Sequence, residues 1–162
     1  ELRVMLAEGI KVKLHALNKP ANTFFESEDM MQLGRDAQYL YPLSPLPFAL
    51  SVLLAPLRFR SRFFSALFNV ATGPRESASI RVKSLLHLLV ACRFASSVKR
   101  EDVSLIHSQW IHSGGTVAMY GAWLLGVPFS FTGHAADIFR DRAALSDKIE
   151  RATFIVCISH YS

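Results

Sequence analysis

Apolar and polar residues alternate from Ile10 to Ala16, in the run Ile-Lys-Val-Lys-Leu-His-Ala. A period of two predicts a strand that turns Ile10, Val12, Leu14 and Ala16 toward a core. Ahead of it, Leu2, Met5 and Leu6 share one side of a short helix that Gly9 stops, and Asn18 and Pro20 break the strand. Residues 37–57 carry no charge, which by length alone suggests a membrane span. Pro42, Pro45, Pro47 and Pro56 argue for a loop with a short helix instead, since an interior proline costs a helix about 3 kcal/mol. Over 57–72, Leu57, Phe64, Leu67 and Phe68 recur on one helical face with Arg58 and Arg62 pointing away, and Gly73-Pro74 closes the helix. A further helix over about 78–97 is apolar nearly all round from Leu85 to Cys92, hence buried on several sides, and too short in its apolar part to cross a bilayer.

The last third has a different rhythm. Residues 103–107 form a β-rich run, 114–125 a helix ended by Gly126, and 127–133 a second β-rich run. A helix over 143–152 and a strand over 153–159 repeat the theme. This is βαβ architecture, so the predicted fold class is α/β, a Rossmann-like parallel sheet flanked by helices. Such sheets hold functional residues beyond the carboxyl ends of their strands, where His107, His134 and Ser159 fall. If the strands are neighbours, the three residues line one crevice. Gly114 and Gly115 open the intervening helix, either to offer backbone amides to a phosphate or sugar hydroxyl or to allow close packing. Neither a GxGxxG nor a GxxxxGK[ST] motif is present. His134 stands out because Thr132, Gly133 and Asp137 accompany it where the chain leaves an apolar strand. His15, His87 and His112 have no such company, and no H-x₃-H spacing or cysteine pair suggests a metal.

Composition adds limits. At 162 residues and 51% hydrophobic content the chain is expected to build a core as a single domain spanning 1–162. Lys and Arg exceed Asp and Glu by 18 − 13 = 5. That excess suits phosphates, nucleic acid or an anionic membrane, or simply aids solubility, and the basic residues form no nucleic-acid-binding motif. Arg58 and Arg62 beside Phe63 and Phe64 suit a helix lying in a membrane surface. An ordinary core-facing helix is the other reading, since Arg60 interrupts the apolar face. Cys92 and Cys157 sit in apolar sequence and read as buried reduced thiols of a cytosolic protein. The first residue is Glu and no basic-then-apolar leader precedes it, so the chain reads as a piece of something longer.

Four stretches carry a family resemblance: Gly126-Val127-Pro128, Thr132 to Asp137, Lys148 to Ala152, and Ile158-Ser159. Over 103–162 the chain resembles the amino-terminal domain of retaining glycosyltransferases of family 4, which have the GT-B fold, and most of all members that build bacterial exopolysaccharides and colanic-acid-like polymers. Residues 6–17 agree with that family's early helix and second strand. The resemblance implies a GT-B amino-terminal, acceptor-side half, incomplete at both ends, with a variable helical and membrane-contact insertion over about 37–100 and no carboxyl-terminal donor domain. It implies transfer of a hexose from a nucleotide sugar to a lipid-linked or polysaccharide acceptor, with neither metal nor other cofactor. His134 then points into the interdomain cleft toward the donor sugar and Asp137 shapes the loop or bonds substrate. His107, Gln109, Gly114, Gly115, Thr132, Gly133 and Ser159 are the substrate-binding candidates. Gln109 stands where family members commonly carry a second histidine. The expected location is cytoplasmic, peripheral on the inner face of the membrane, with the fragment inactive by itself and its missing carboxyl-terminal domain as a partner. A non-catalytic, membrane-associated subunit or pseudoenzyme of the same fold is the alternative, and a flavodoxin-like binding domain a third reading.

Overall fold

A computed structural model describes residues 2–19, 28–98, 102–134 and 143–158. The chain divides into two compact units, 1–44 and 45–162. In the first, helix α1 (Leu2–Ala7) ends where Gly9 takes a left-handed φ of 74°. Strand β1 (His15–Ala16) pairs in parallel with β2 (Gln38–Tyr39), which follows helix α2 (Glu28–Asp36). The alternation from Ile10 to Ala16 predicts a longer strand than this. A ladder forms only where a partner lies alongside, and here the backbone bonds run from Gln38 N to Leu14 O through Tyr41 N to Leu17 O. Val12 and Leu14 are more sheltered than Lys11 and Lys13, as the period requires, but Ile10 is exposed rather than set against a core.

In the second unit, residues 45–97 are nearly all helical: α3 (Pro45–Leu53), α4 (Ala55–Phe59), α5 (Ser61–Thr72) and α6 (Ala78–Ser97). Pro45 and Pro47 fall in the first turn of α3 and Pro56 in that of α4, where a missing amide costs nothing. The helix expected over 57–72 is broken at Arg60, whose φ of 50° belongs to neither α4 nor α5. Arg81 closes α5 by donating to the carbonyls of Val70, Ala71 and Gly73. Ser77 caps α6, its hydroxyl accepting from the Ile80 amide at 3.3 Å. No helix among the described residues is long and apolar enough to cross a membrane.

Strands β3 (Ile106–Ser108), β4 (Phe129–Gly133) and β5 (Ala152–Cys157) form a parallel sheet in that order, linked by helices α7 (Ser113–Leu125) and α8 (Leu145–Arg151). The fold is therefore α/β, with short parallel sheets flanked by helices. Gly126, at φ 68°, ends α7 and donates to the carbonyls of Ala122 and Trp123. Helices α6 and α7 pack together most extensively, and Gly121 sets their approach: a Cβ there would lie 2.5 Å from the Phe94 ring.

A polar network crosses this helical layer. The Arg75 side chain, fully buried, pairs with Asp147 of α8 at 2.7 Å. It also donates to Ser84 of α6 at 3.2 Å, to Asn69 of α5 at 3.1 Å and to the Tyr120 hydroxyl of α7 at 3.1 Å. Tyr120 in turn donates to Asn69 Oδ1, and Asn69 Nδ2 to Asp147 Oδ1, each at 3.1 Å. Burial raises the Tyr120 phenol above its ordinary value, with the Arg75 charge opposing. Removing one partner of a buried ion pair leaves the other charge uncompensated. Asp147→Ala should therefore cost about 3–5 kcal/mol in chemical denaturation.

Cys92 is buried as expected, whereas Cys157, on the edge strand β5, is exposed. Burial pushes the Cys92 thiol up to about 12 from an ordinary 9.0. Its contribution to stability is thus intact below pH 9.0, where both states hold the proton, and is lost as pH rises from there toward about 12. A thiol reagent at about pH 8 should label Cys157 rapidly and reach Cys92 only after denaturant is added.

Candidate functional site

Strands β3 and β4 are neighbours as expected, but His107 lies within β3 rather than beyond its carboxyl end, and only His134 follows the end of its strand. In β4, Phe129 and Phe131 alternate with Ser130 and Thr132, so the hydroxyls share one face and the rings the other. His107 lies opposite Ser130 in register. Its Nδ1 is 2.8 Å from the Ser130 hydroxyl and its Nε2 is 3.0 Å from that of Thr132, so one ring nitrogen donates and the other accepts. Phe154 of β5 stacks on the same imidazole, with ring centres 6.3 Å apart. The outcome is a histidine held on the sheet by two buried hydroxyls.

His134 is placed differently. Its Nε2 donates to the Gln109 carbonyl at 3.2 Å, which in the neutral ring puts the proton on Nε2 and leaves the lone pair on Nδ1. The ring stacks on Trp110 with centres 4.3 Å apart, and Trp110 also stacks with His112 at 5.9 Å. Trp110, with both histidine rings stacked on it, is 47% exposed. Gln109 enters the site through its backbone oxygen.

The loop between β3 and α7 is fixed at every carbonyl from Gln109 to His112. Gln109 O accepts from His134, Trp110 O from the Ser108 hydroxyl at 2.7 Å, Ile111 O from the Lys148 ammonium, and His112 O from the Thr116 amide at 3.1 Å. Lys148 is fully buried, so the ammonium spans from α8 to this loop through the interior. Gly115 is a close-packing position, since a Cβ would lie 2.7 Å from Trp110 O, whereas a Cβ at Gly114 would meet nothing within 4 Å. Gly114 is therefore not a close-packing position among the described residues.

Gly133 ends β4 in register with Cys157, and Thr132 is buried against His107. Asp137 and Ser159 lie outside the described residues. Trp110, Ser130 and Lys148 complete the arrangement, none of them a site candidate in the sequence. For Ser130 and Thr132 the signal was present, as two hydroxyls at period two inside an apolar strand. A lone lysine in a charged helix gives no sign of its burial.

The four residues expected at a membrane separate in the structure. Phe63 is buried in the helical layer, and Arg62 donates to Leu125 O at 3.0 Å, capping α7. Arg58 and Phe64 remain exposed. Leu57, Leu67 and Phe68 are exposed with Phe64, so the apolar helical face exists but Phe63 is not part of it. Among the described residues no group of three or more His, Cys, Asp or Glu could hold a metal ion. Comparison of the chain with protein-family models, with curated proteins and with solved structures gave no significant match.

The two glycines of α7 make opposite predictions. Gly114→Ala should stabilise the protein by about 0.5 kcal/mol, because alanine costs less helical entropy and fits the space. Gly115→Ala should destabilise it by about 1–3 kcal/mol through collision with the Trp110 carbonyl. Urea titrations of both variants against the parent check the pair.

Proposed function

We propose that this chain is the acceptor-side domain of a retaining glycosyltransferase that moves a hexose from a nucleotide sugar to a lipid-linked or polysaccharide acceptor in exopolysaccharide synthesis. One observation supports the reading most: His134, with Nδ1 carrying a lone pair in the neutral ring, stacks on the partly exposed Trp110 at the carboxyl end of a parallel strand. An imidazole that accepts a hydroxyl next to an apolar ring face is suited to a pyranose, which presents hydroxyls at its rim and C–H groups on its faces. The fixed loop carbonyls hold this pair without reorganisation during transfer.

In this reading His134 orients the donor sugar through Nδ1, and Trp110 covers one sugar face. Gly114 admits substrate oxygens to the amino end of α7, and Asp137 assists from the segment after β4. Ser159 follows β5 as a further substrate contact. The negative charge that develops on the departing diphosphate is met by cations supplied outside these residues. The exposed leucines and phenylalanines of α3 to α5 support a peripheral position on the cytoplasmic side of a membrane, where lipid-linked acceptors reside.

His107 favours the second reading, a non-catalytic subunit of the same fold, because Ser130 and Thr132 engage both its ring nitrogens. The test is hexose transfer from nucleotide sugars, assayed in the protein that carries this chain. His134→Ala should lower kcat/KM by about 10- to 100-fold, the worth of a hydrogen bond to a polarised group. Undiminished transfer would remove His134 from the site, and absence of nucleotide-sugar binding by the parent would favour the non-catalytic subunit.

A further inference from the structure

We propose that a groove between α3–α4 and the last turns of α6 holds the phosphate headgroup of an anionic bilayer lipid, with Arg58 and Arg93 as its ligands. The groove is open to solvent, has a volume of about 500 Å³ and is lined by Leu50, Leu54, Leu57, Arg58, Arg93 and Ser96, among others. Its size is that of a small-ligand site. Two guanidinium groups on apolar walls are complementary to a lipid phosphate, whose glycerol and first acyl carbons require the leucines.

Three observations single out a lipid as the occupant. First, α3 has eight apolar residues in nine and no fully buried side chain, so much of its apolar surface has no cover among the described residues of the unit. Second, residues 45–97 carry seven Lys and Arg against one acidic residue, Glu76, so the segment is strongly cationic. Third, the cations differ in what they do. Arg62, Arg75 and Arg81 bond inside the fold. The side chains of Arg58 and Arg93, by contrast, make no hydrogen bond or ion pair with any described residue, that of Arg58 only lying over the Phe59 ring at 5.7 Å. A second copy of this chain would bring the same cations to the same face and repel, whereas a bilayer containing anionic lipid supplies both the charge and the apolar layer. The proposal rests on the peripheral membrane position given above and deepens it, and it is independent of sugar transfer, which the vesicle experiment does not read.

The experiment is flotation of the protein with phosphatidylcholine vesicles, with and without phosphatidylglycerol. The parent should float only with phosphatidylglycerol. Arg93→Gln should weaken binding more than about tenfold, through loss of a charge-assisted contact. Arg60→Gln removes a charge outside the groove lining and should weaken it only about fivefold, the diffuse electrostatic share of one arginine. Arg93→Lys, which keeps the charge without the fork, should fall between the parent and Arg93→Gln, and circular dichroism should confirm the fold of each variant. Equal losses for Arg93→Gln and Arg60→Gln, or no flotation with phosphatidylglycerol, would overturn the proposal. Displacement of the bound protein by inorganic phosphate at matched ionic strength would also overturn it, since the site would then take free phosphate.

Discussion

The second unit depends on one buried cation. Arg75 lies in the short connection between α5 and α6, yet its guanidinium reaches side chains on α5, α6, α7 and α8. A planar group with five donors can serve that many partners at once, where an ammonium could not do so in one plane. The hydrophobic contact of α6 with α7 supplies bulk cohesion, but apolar surfaces slide. The Arg75 network gives the helices a single register, and through Asp147 it fixes the helix whose next residue, Lys148, reaches the loop beside His134. The arrangement of the candidate site thus follows from a charge placed well away from it.

Much of this was legible in the pattern of residues, and the parts that were not share a cause. The bounds of α6, the glycine stop of α7 and the order of strands and helices after residue 103 all follow from local periodicity and punctuation. The break at Arg60 was not visible, because a positive φ at arginine is imposed by packing on both sides and contradicts the residue's own preference. Phe63 and Phe64 are adjacent and chemically identical, yet one is buried and the other 57% exposed, since consecutive helical positions differ by about 100° in direction. Arg62 is exposed as expected, yet its bond to the end of α7, a partner 63 residues distant, had no signal in the sequence.

At the site the same division holds. His134 and Thr132 drew notice by clustering at a strand end, a feature local in sequence. The partners that give them meaning are distant: Trp110 for the ring of His134, and His107 for the hydroxyl of Thr132. Strand order decides those pairings, and strand order is a property of tertiary structure. Gly114 and Gly115 show how fine the distinction becomes, for neighbours in one helical turn face open space and a backbone carbonyl respectively.

Burial also changes what the charge of this protein means to its surroundings. The formal excess of +5 counts every ionisable side chain alike. Arg75, Asp147 and Lys148 do not face solvent, and together they withhold one positive charge from the surface. An ion-exchange resin therefore meets a slightly less basic molecule than composition suggests, and the retention of the folded chain should differ from that of the same chain in urea.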